Sequence, residues 1–480
     1  MSRRRSLPHE SFIVVLLSFT LLIVSQFTAV FCRKSDYKRI IFTNDTLDFF
    51  EESFQQSLQE HNNDSLAKYK QLWRDYGQAK LVRLQPEKKV GQSRTIHIEG
   101  NRKKTLQLTT LSKRRPLMFM IDDFLFDDEC ELIKNQAIDA GLETSITSGE
   151  IKPFQQKEGD IPEQFFDCYN WEWEDIDHNL DGTADLLEMQ NTFRQLAGAK
   201  FGTLTVAGIM KDSFMDFNAD GKIFQWEWEA CNKTKLGILL YNIWTGYPST
   251  KIRHSEQQWL EQTASSDETL KSIQDRLWKV TGLPRPLILH GEQLQVVKYT
   301  PGGHYDCHLD SDYRFMGQDI LPCCHYELHD NDTFIPQECA SCRFLTALFY
   351  LDDTEEGGET AFPAAGLDPY QHDLVDDTGG SDEEWCDLSA HCKQSKLIVK
   401  PKKGRAVLWY NHFIDPDTHW MGAIDKNSLH GGCAVHKGVK WIANNWINVG
   451  FHKKHDFLSF ARRWYHLQQD KHDQEAFEKW

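Results

Sequence analysis

The sequence lacks an excess of positive charge. Its 480 residues contain 54 Lys and Arg against 71 Asp and Glu, so the formal net charge is −17. Proteins that bind nucleic acid need clustered positive charge to contact the phosphates, so we expect no nucleic acid partner. The sequence also lacks the low hydrophobic content of a disordered chain, because 40% of its residues are hydrophobic and 12% are aromatic. The length suffices for two or three domains with sizeable cores.

Long hydrophobic runs are scarce, and the one at residues 12–31 follows Arg3, Arg4 and Arg5. Twenty largely apolar residues span a hydrocarbon core of about 30 Å, and a basic flank stays on the cytoplasmic side. A cleaved signal peptide is the alternative, although Cys32 and the residues before it form a poor cleavage site. We favour an uncleaved type II signal anchor, which places the remainder of the chain in the lumen or outside the cell.

Cysteines and glycosylation motifs agree with an oxidising compartment. Eleven of the twelve cysteines follow residue 34, where the predicted anchor segment ends. Four Asn-x-Ser/Thr triplets are candidate glycosylation sites: Asn44, Asn63, Asn232 and Asn331. A close group of cysteines favours a disulfide over a zinc site, because it has one Cys-x-x-Cys and one adjacent pair instead of two zinc knuckles. Its members are Cys323, Cys324, Cys339 and Cys342.

Candidate metal ligands lie in and after the stretch 302–310. His308 and Asp310 are two residues apart, so on a β-strand both side chains point to the same face. A later strand would bring His430 over the same place. Two imidazoles and one carboxylate, with further positions left for co-substrate and oxygen, form the site of a non-haem Fe(II) oxygenase. The His-x-Asp pair alone is weak support, since 20 His and 71 acidic residues produce several such pairs by chance.

Lys440 follows His430 by ten residues and lies in an apolar run that predicts an interior strand. A buried lysine must contact an anion or lose its proton. The far carboxylate of a dicarboxylic co-substrate bound to the metal would supply that anion. The alternative is an edge strand from which the ammonium reaches solvent.

Further motifs surround these residues in a fixed order. They are Gln295-Val296-Val297-Lys298-Tyr299, Phe349-Tyr350-Leu351, Gly357-Gly358-Glu359-Thr360, and the run from Lys403 to Asn411. With His308, Asp310 and the stretch from His430 to Trp446, they resemble the prolyl 4-hydroxylases, which are Fe(II)- and 2-oxoglutarate-dependent dioxygenases. The resemblance covers residues 116–150 and 250–452. Lysine at 440, where lysyl hydroxylases of this architecture have arginine, favours the prolyl activity.

The resemblance implies a ligand set and cofactors. Fe(2+) would bind His308, Asp310 and His430, and 2-oxoglutarate would bind Lys440. Tyr299 and Thr346 match positions on the co-substrate side of the family and would donate further hydrogen bonds. O2 and L-ascorbate would take part, and a proline-containing protein or peptide would be hydroxylated with release of succinate and CO2.

Two loops between residues 151 and 249 match the twelve-residue EF-hand pattern, with oxygen ligands at alternate positions, glycine at the sixth and glutamate at the twelfth. The first offers Asp177, Asn179, Asp181, Thr183, Asp185 and Glu188. The second starts 39 residues later and offers Asp216, Asn218, Asp220, Lys222 and Glu227. Two such loops in tandem predict a Ca(2+)-binding pair, and the first loop, with four carboxylates against three, is expected to bind more tightly.

The patterns predict an α+β chain. A double-stranded β-helix, or jelly roll, forms its catalytic core, with flanking helices, an inserted α-helical EF-hand pair and an N-terminal transmembrane helix. The predicted segments are a tail and anchor (1–34), a stem and linker (35–115), the dioxygenase domain (116–150 and 250–452), the EF-hand insertion (151–249) and a C-terminal helix (453–480). A homodimer through the stem or the C-terminal helix is a further expectation.

Helix starts are also predicted. Asp128 with Glu131, and Ser265 with Glu268, have the spacing of capping boxes.

The chain resembles the membrane-bound members of the family in three features together: the predicted anchor, the EF-hand pair and the run from Ser428 to Cys433. That implies an endoplasmic reticulum membrane enzyme of single-pass type II topology, with a lumenal catalytic domain and hypoxia-inducible factor alpha as a substrate. Collagen-like or other secretory proteins fit a lumenal site better. Two rival functions stay open: a lumenal calcium sensor or buffer with an idle oxygenase core, and a 2-oxoglutarate oxygenase that acts on another residue.

Overall fold

The computed structural model of the chain describes residues 63–99, 102–145, 171–197, 199–246, 251–262, 267–289, 291–311, 341–367 and 386–450, with Gln55 and the short pieces 315–316, 319–320, 453–454, 456–457 and 461. The predicted anchor lies outside these residues, as do Asn44, Asn331, Cys323, Cys324 and Cys339. Among the described helices, none combines the length and the apolarity needed to cross a membrane.

Two antiparallel sheets form the core. The larger has nine strands, which lie side by side in the order β1 (Ser93–Ile98), β2 (Lys104–Lys113), β3 (Leu117–Ile121), β17 (Ala406–Tyr410), β13 (Arg343–Tyr350), β22 (Lys440–Asn448), β9 (Leu294–Tyr299), β8 (Glu256–Leu260) and β4 (Glu143–Thr144). The smaller has five, in the order β16 (Leu397–Val399), β15 (Thr360–Phe362), β20 (His430–Gly432), β10 (His304–His308) and β7 (Arg253–His254).

Four two-stranded pairs complete the described strands. They are β5 (Thr183–Ala184) with β6 (Ile223–Phe224), β11 (Phe315–Met316) with β12 (Asp319–Ile320), β14 (Glu356–Gly357) with β21 (Val435–Lys437), and β18 (His412–Ile414) with β19 (Met421–Ile424).

The central strands of the larger sheet are buried on both faces. Seven of the eight residues of β13 are fully buried, as are eight of the nine in β22. This explains why the apolar residues of both strands occur in adjacent groups and do not alternate strictly with polar ones. On one face, Val407, Trp409 and Ile442 pack against Phe362 and Val399 of the smaller sheet. The two sheets therefore face each other across an apolar layer, an arrangement consistent with the predicted jelly roll.

Four helices pack on the other face of the larger sheet, and the other four described helices, between residues 186 and 246, pack in a separate core of the insertion. The described helices are α1 (Asn63–Gln78), α2 (Asp127–Ala140), α3 (Leu186–Ala197), α4 (Thr203–Asp212), α5 (Gln225–Ala230), α6 (Lys233–Gly246), α7 (Glu268–Thr281) and α8 (Arg285–Leu289). The apolar stripe of α7 consists of Leu270, Ile273, Leu277 and Val280, and all four lie in the main hydrophobic core.

The starts of α2 and α7 differ from the predicted caps. Helix α2 begins after Phe126, whose backbone N–H donates to the Glu129 carboxylate at 2.9 Å, so Asp128 is not its cap. Helix α7 begins after Asp267, whose carboxylate accepts from the Thr269 N–H at 2.6 Å. Glu129 is held by a bidentate pair with Arg276 of α7, a tertiary contact that no local pattern reveals.

Much of the described part of the segment predicted as stem and linker, residues 63–99 and 102–115, belongs to the core. Strands β1 and β2 extend the larger sheet, which therefore begins before residue 116, where the sequence predicts the domain to start. In α1, Tyr69 and Trp73 pack on Phe457, with ring centroids 5.3 and 4.7 Å apart. Part of the C-terminal segment thus packs on the predicted stem within one chain.

The insertion between β4 and β7 has its own hydrophobic core, which includes Phe193, Met210, Ile223 and Leu240. Its two loops are joined by β5 and β6, through Thr183 opposite Phe224 and Ala184 opposite Ile223. The part of the insertion that the structure describes is therefore a unit of helices with one short strand pair.

We expect Arg276→Met to lower the free energy of unfolding by about 3–5 kcal/mol, because it removes the bidentate partner of the buried Glu129 carboxylate and leaves it with the more exposed Arg102, 3.5 Å away. The side chains of Arg276 and Glu129 are 2% and 0% exposed. Lys271→Met on the same helix is the matched control, since Lys271 and Glu268 form an exposed pair worth less than about 1 kcal/mol. Denaturant unfolding of both variants measures the difference, and equal losses would contradict this account.

Candidate metal centre

The two candidate histidines lie directly opposite each other in the smaller sheet. Strands β10 and β20 are antiparallel, with Tyr305 opposite Gly432 and His308 opposite His430. The register shifts between these two pairs, so β10 has one extra residue there, which is a β-bulge. The bulge contains Asp306 and Cys307 and sets the direction in which the next side chain, His308, points.

Asp310 lies just beyond the end of β10, and its carboxylate faces both imidazoles. Its oxygens are 3.7 Å from Nε2 of His308 and 3.5 Å from Nε2 of His430. Ligand atoms of the three residues all lie within 4.8 Å of one another, so the group could hold a metal ion. The structure therefore brings together the three side chains that the sequence singles out.

The other ring nitrogen of each histidine contacts a backbone carbonyl. Nδ1 of His308 is 3.0 Å from the Asp306 carbonyl, and Nδ1 of His430 is 2.9 Å from the Ser428 carbonyl. Donation from Nδ1–H leaves the lone pair on Nε2, the nitrogen that faces Asp310. Histidine ligands of metals in proteins use this arrangement, which fixes the ring and its tautomer.

Thr346 of β13 anchors the carboxylate from the larger sheet. Its hydroxyl donates to Oδ2 of Asp310 at 2.7 Å and accepts from the Asn411 side-chain N–H at 2.9 Å. The resemblance implies that Thr346 donates to 2-oxoglutarate, whereas here its partner is Asp310. Sequence analysis missed Asn411 as a supporting residue, although it ends one of the recognised motifs.

The electrostatics of the centre keep its groups in metal-binding form. Burial lowers the pKa of His430 to about 4, so its imidazole is neutral at pH 7. Burial alone would raise the pKa of Asp310, but His430, His308 and Arg343 outweigh it and hold that pKa well below its usual range. A neutral imidazole of His430 beside an ionised Asp310 carboxylate fits a divalent metal.

Lys440 lies at the start of β22, opposite Tyr299 of β9. The residue is 1% exposed, and its ammonium is 5.0 Å from the centroid of the Tyr299 ring. Within the described ranges no carboxylate forms an ion pair with it. Burial lowers the pKa of Lys440 to about 7, although Glu359 acts in the opposite direction. A buried ammonium without an anion is suited to binding a carboxylate from a ligand.

Glycine at 432 keeps space in front of this ammonium. A Cβ there would lie 3.4 Å from Nζ of Lys440 and 3.9 Å from Cζ of Tyr299. Gly432 is two residues after His430 on β20, so the space adjoins the histidine pair. The lysine and the three metal-ligand candidates thus line one region between the two sheets.

In the two loops of the insertion, acidic side chains accept hydrogen bonds from backbone N–H groups of the same loop. In the first, Asp177 accepts from the N–H groups of Asp181 and Gly182, and Glu188 from those of Asn179 and Asp185. In the second, Asp216 accepts from Asp220 and Gly221, and Glu227 from Phe217, Asn218 and Phe224. Gly182 and Gly221 have φ of 88° and 84°, values that favour glycine.

The other predicted ligands of these loops are exposed or half-buried. In the described part of the chain, neither loop brings three acidic ligand atoms within 4.8 Å of one another. The remaining glycosylation candidates are Asn232, which is exposed, and Asn63, at the start of α1.

Disulfide bonding is confirmed by two pairs, Cys307–Cys386 and Cys392–Cys433. Cys342 of the predicted cysteine group is also disulfide-bonded. Cys130 and Cys231 are free and buried. A second group of potential metal ligands, Glu359 with Cys392 and Cys433, contains one of the disulfides, so its sulfurs are already used.

Comparison with known proteins gives a family match and close relatives. Residues 294–448 match the 2OG-Fe(II) oxygenase superfamily. A mouse protein (Mus musculus) named transmembrane prolyl 4-hydroxylase is 33% identical over 365 residues, which are 75% of this chain and 68% of that protein. The human protein (Homo sapiens) of the same name is 33% identical over 368 residues, with coverage of 75% and 68%.

A solved structure of a viral collagen prolyl hydroxylase from Paramecium Bursaria Chlorella virus-1, in complex with 2OG, also matches. It is 20% identical, covers 69% of this chain and 96% of that chain, and has a TM-score of 0.29. A score this low carries no argument about fold or function.

Thr346→Val should weaken metal binding by about 10- to 100-fold, the usual loss when a residue that orients a ligand is removed. The substitution keeps the volume of the side chain and removes its hydrogen bond to Asp310. Titration with Co(II) measures the dissociation constant. Thr281→Val is the control, because its buried hydroxyl donates to Leu277 at the end of α7. Equal Co(II) affinities for the two variants would contradict the role of Thr346.

Proposed function

The chain belongs to the prolyl 4-hydroxylase family, and on that premise we propose that it hydroxylates proline in protein substrates as a Fe(II)- and 2-oxoglutarate-dependent dioxygenase. The observation that carries the proposal is the convergence of His308, Asp310 and His430 beside a buried lysine that has no carboxylate partner among the described residues. An idle oxygenase core would need neither the three ligands nor the buried ammonium.

His308 and His430 would bind iron through Nε2, and Asp310 through its carboxylate. The donor set fits Fe(II), because two imidazoles and one carboxylate leave positions for co-substrate and oxygen. When bound there, iron with 2-oxoglutarate and O2 supplies the oxidising chemistry that hydroxylates a proline ring carbon and releases succinate and CO2. The residues of the chain contribute binding and orientation of these groups and exclusion of water.

Lys440 would bind the far carboxylate of 2-oxoglutarate. Its ammonium is buried beside Tyr299, and the glycine at 432 leaves room for a ligand between lysine and metal. An ion pair formed in this setting is strengthened by the exclusion of water. Tyr299 is 3% exposed and pairs with Lys440 across the strands, so it is placed to contact the same carboxylate.

His308→Ala should abolish turnover of 2-oxoglutarate to succinate, because it removes one of three metal ligands. The measurement is succinate release together with mass spectrometry of peptides, one from hypoxia-inducible factor alpha and one collagen-like. Addition of one oxygen to proline by the wild-type protein is expected. Full activity of His308→Ala would refute the ligand assignment, and oxygen on another residue would favour the rival oxygenase.

The KM for 2-oxoglutarate should depend on pH through Lys440. The ammonium is charged below pH 7 and loses its proton above its pKa of about 7, so binding of a dicarboxylate above that pH must take up a proton. We expect KM to be constant below pH 7 and to rise by up to about tenfold per unit above it, until the pKa of the bound state is reached. In Lys440→Arg the guanidinium stays charged, so this rise should disappear. An unchanged profile would exclude Lys440 as its source.

A second proposal concerns the insertion, which would bind two Ca(2+) ions as an EF-hand pair. The support is the spacing of ligands in both loops, the glycines at positive φ and the strand pair that couples the loops. Glu188 and Glu227, now bonded to backbone N–H groups, would each contribute the closing carboxylate. In an extracytoplasmic compartment, dissociation constants of about 10⁻⁴ to 10⁻³ M would suffice.

Glu188→Gln should remove the tighter calcium site and Glu227→Gln the weaker one. The first loop has four carboxylates and the second has three, so the two variants should differ in the affinity that remains. Calorimetric titration with Ca(2+) separates the two sites. Glu229→Gln, at an exposed position outside both loops, is the control. Two sites of wild-type affinity in either loop variant would contradict the assignment.

We also propose that residues 12–31 anchor the protein in the endoplasmic reticulum membrane with the catalytic domain in the lumen. The support is the length of the apolar run, the basic residues before it, the disulfides and the name of the two mammalian relatives, transmembrane prolyl 4-hydroxylase. Use of ascorbate and assembly as a homodimer stay predictions from the resemblance and the sequence pattern.

A further inference from the structure

The bulge of β10 that aims His308 is held by a residue of the insertion. Asp306, the first residue of the bulge, is 0% exposed. Its Oδ1 accepts from Nζ of Lys200 at 3.0 Å, and Arg194 of α3 is 3.8 Å from its Oδ2. In the described part of the chain these two cations are its ion-pair partners, and both belong to the insertion. The catalytic strand thus contains a buried carboxylate that the core does not neutralise.

Lys200 also reaches the segment that covers the smaller sheet. Its Nζ donates to Asp387 at 2.6 Å and to Ser389 at 3.2 Å. Asp306 and Asp387 each neighbour one cysteine of the Cys307–Cys386 disulfide. The lysine and the disulfide therefore link the same two segments, one through charge and one covalently.

The bulge is connected directly to the orientation of His308. The backbone carbonyl of Asp306 contacts Nδ1 of His308 at 3.0 Å, while its backbone N–H donates to Ile252 at 2.9 Å. Ala199, next to Lys200, forms a β-bridge with Lys251. A shift of the Asp306 backbone would rotate the imidazole and move Nε2 away from Asp310 and His430.

We propose that Lys200 is a positioning residue for the metal centre: by bridging Asp306 and Asp387 it holds the β10 bulge in the shape that aims His308 at the metal. The proposal rests on the proposed function, because it assumes that His308 is a metal ligand. Without Lys200, a fully buried carboxylate would keep only the more distant Arg194, and the bulge would rearrange to expose or neutralise it. The insertion therefore acts on the metal centre as well as carrying the candidate calcium loops.

The test is Lys200→Met in the full chain, with Co(II) in place of Fe(II). We expect the Co(II) dissociation constant to rise by about tenfold or more, the loss typical of residues behind a metal ligand, and the visible Co(II) spectrum to shift. Lys211→Met, an exposed lysine of the same insertion, is the control and should leave both unchanged. Thermal unfolding of each variant separates loss of metal geometry from loss of fold.

Asp306→Asn gives a second measurement should Lys200→Met not fold, because it removes the buried charge and keeps the shape. The double variant Lys200→Met/Asp306→Asn removes the lysine together with the buried carboxylate that it neutralises. Most of the Co(II) affinity lost in Lys200→Met should therefore return. Wild-type affinity and spectrum in Lys200→Met, even with a lower Tm, would reduce Lys200 to a structural contact and overturn the proposal. The proposed function itself would be overturned if the wild-type protein bound no Co(II). It would also be overturned if His308→Ala bound Co(II) with the same affinity as the wild-type protein.

Discussion

Three side chains can hold one metal ion only if their ligand atoms meet, and this requirement is met by the pairing of β10 with β20. The register places His308 opposite His430, and the bulge before His308 directs its ring toward its partner. The carboxylate of Asp310 is then held from the facing sheet by Thr346. The centre therefore depends on the packing of both sheets and not on either strand alone.

Two buried charged residues near this centre differ in whether the described part of the chain supplies an ion-pair partner. Asp306 has its cation supplied from the insertion, so its charge is already compensated in the folded chain. Lys440 has no carboxylate partner among the described residues and is stabilised only by losing its proton or by binding an anion. The charge of Asp306 therefore links β10 to the insertion, whereas the charge of Lys440 can bind a ligand. This contrast explains why the lysine is a candidate for co-substrate binding and the aspartate is not.

Predictions from local sequence pattern were confirmed where the residues of one segment are enough to determine its secondary structure. The interior strand predicted around Lys440 corresponds to β22, and helices α2 and α7 lie near the two predicted starts. The two predicted helix caps were each wrong by two residues, and at α2 the reason is that Glu129 is held by Arg276 from another helix. The domain boundary at residue 116 missed β1 and β2, because their place in the sheet depends on pairing with β3.

By itself the sequence determined which ligand types are present, the two-residue spacing of His308 and Asp310, and the glycine and oxygen pattern of the two loops, since these follow from neighbours a few residues apart. Tertiary structure alone decided that Thr346 bonds to Asp310, that His308 lies opposite His430, and that Lys200 reaches Asp306 across 106 residues of chain. The physical reason is that hydrogen bonds and ion pairs between distant segments depend on how sheets and insertion pack, and packing leaves no periodic signal in the sequence.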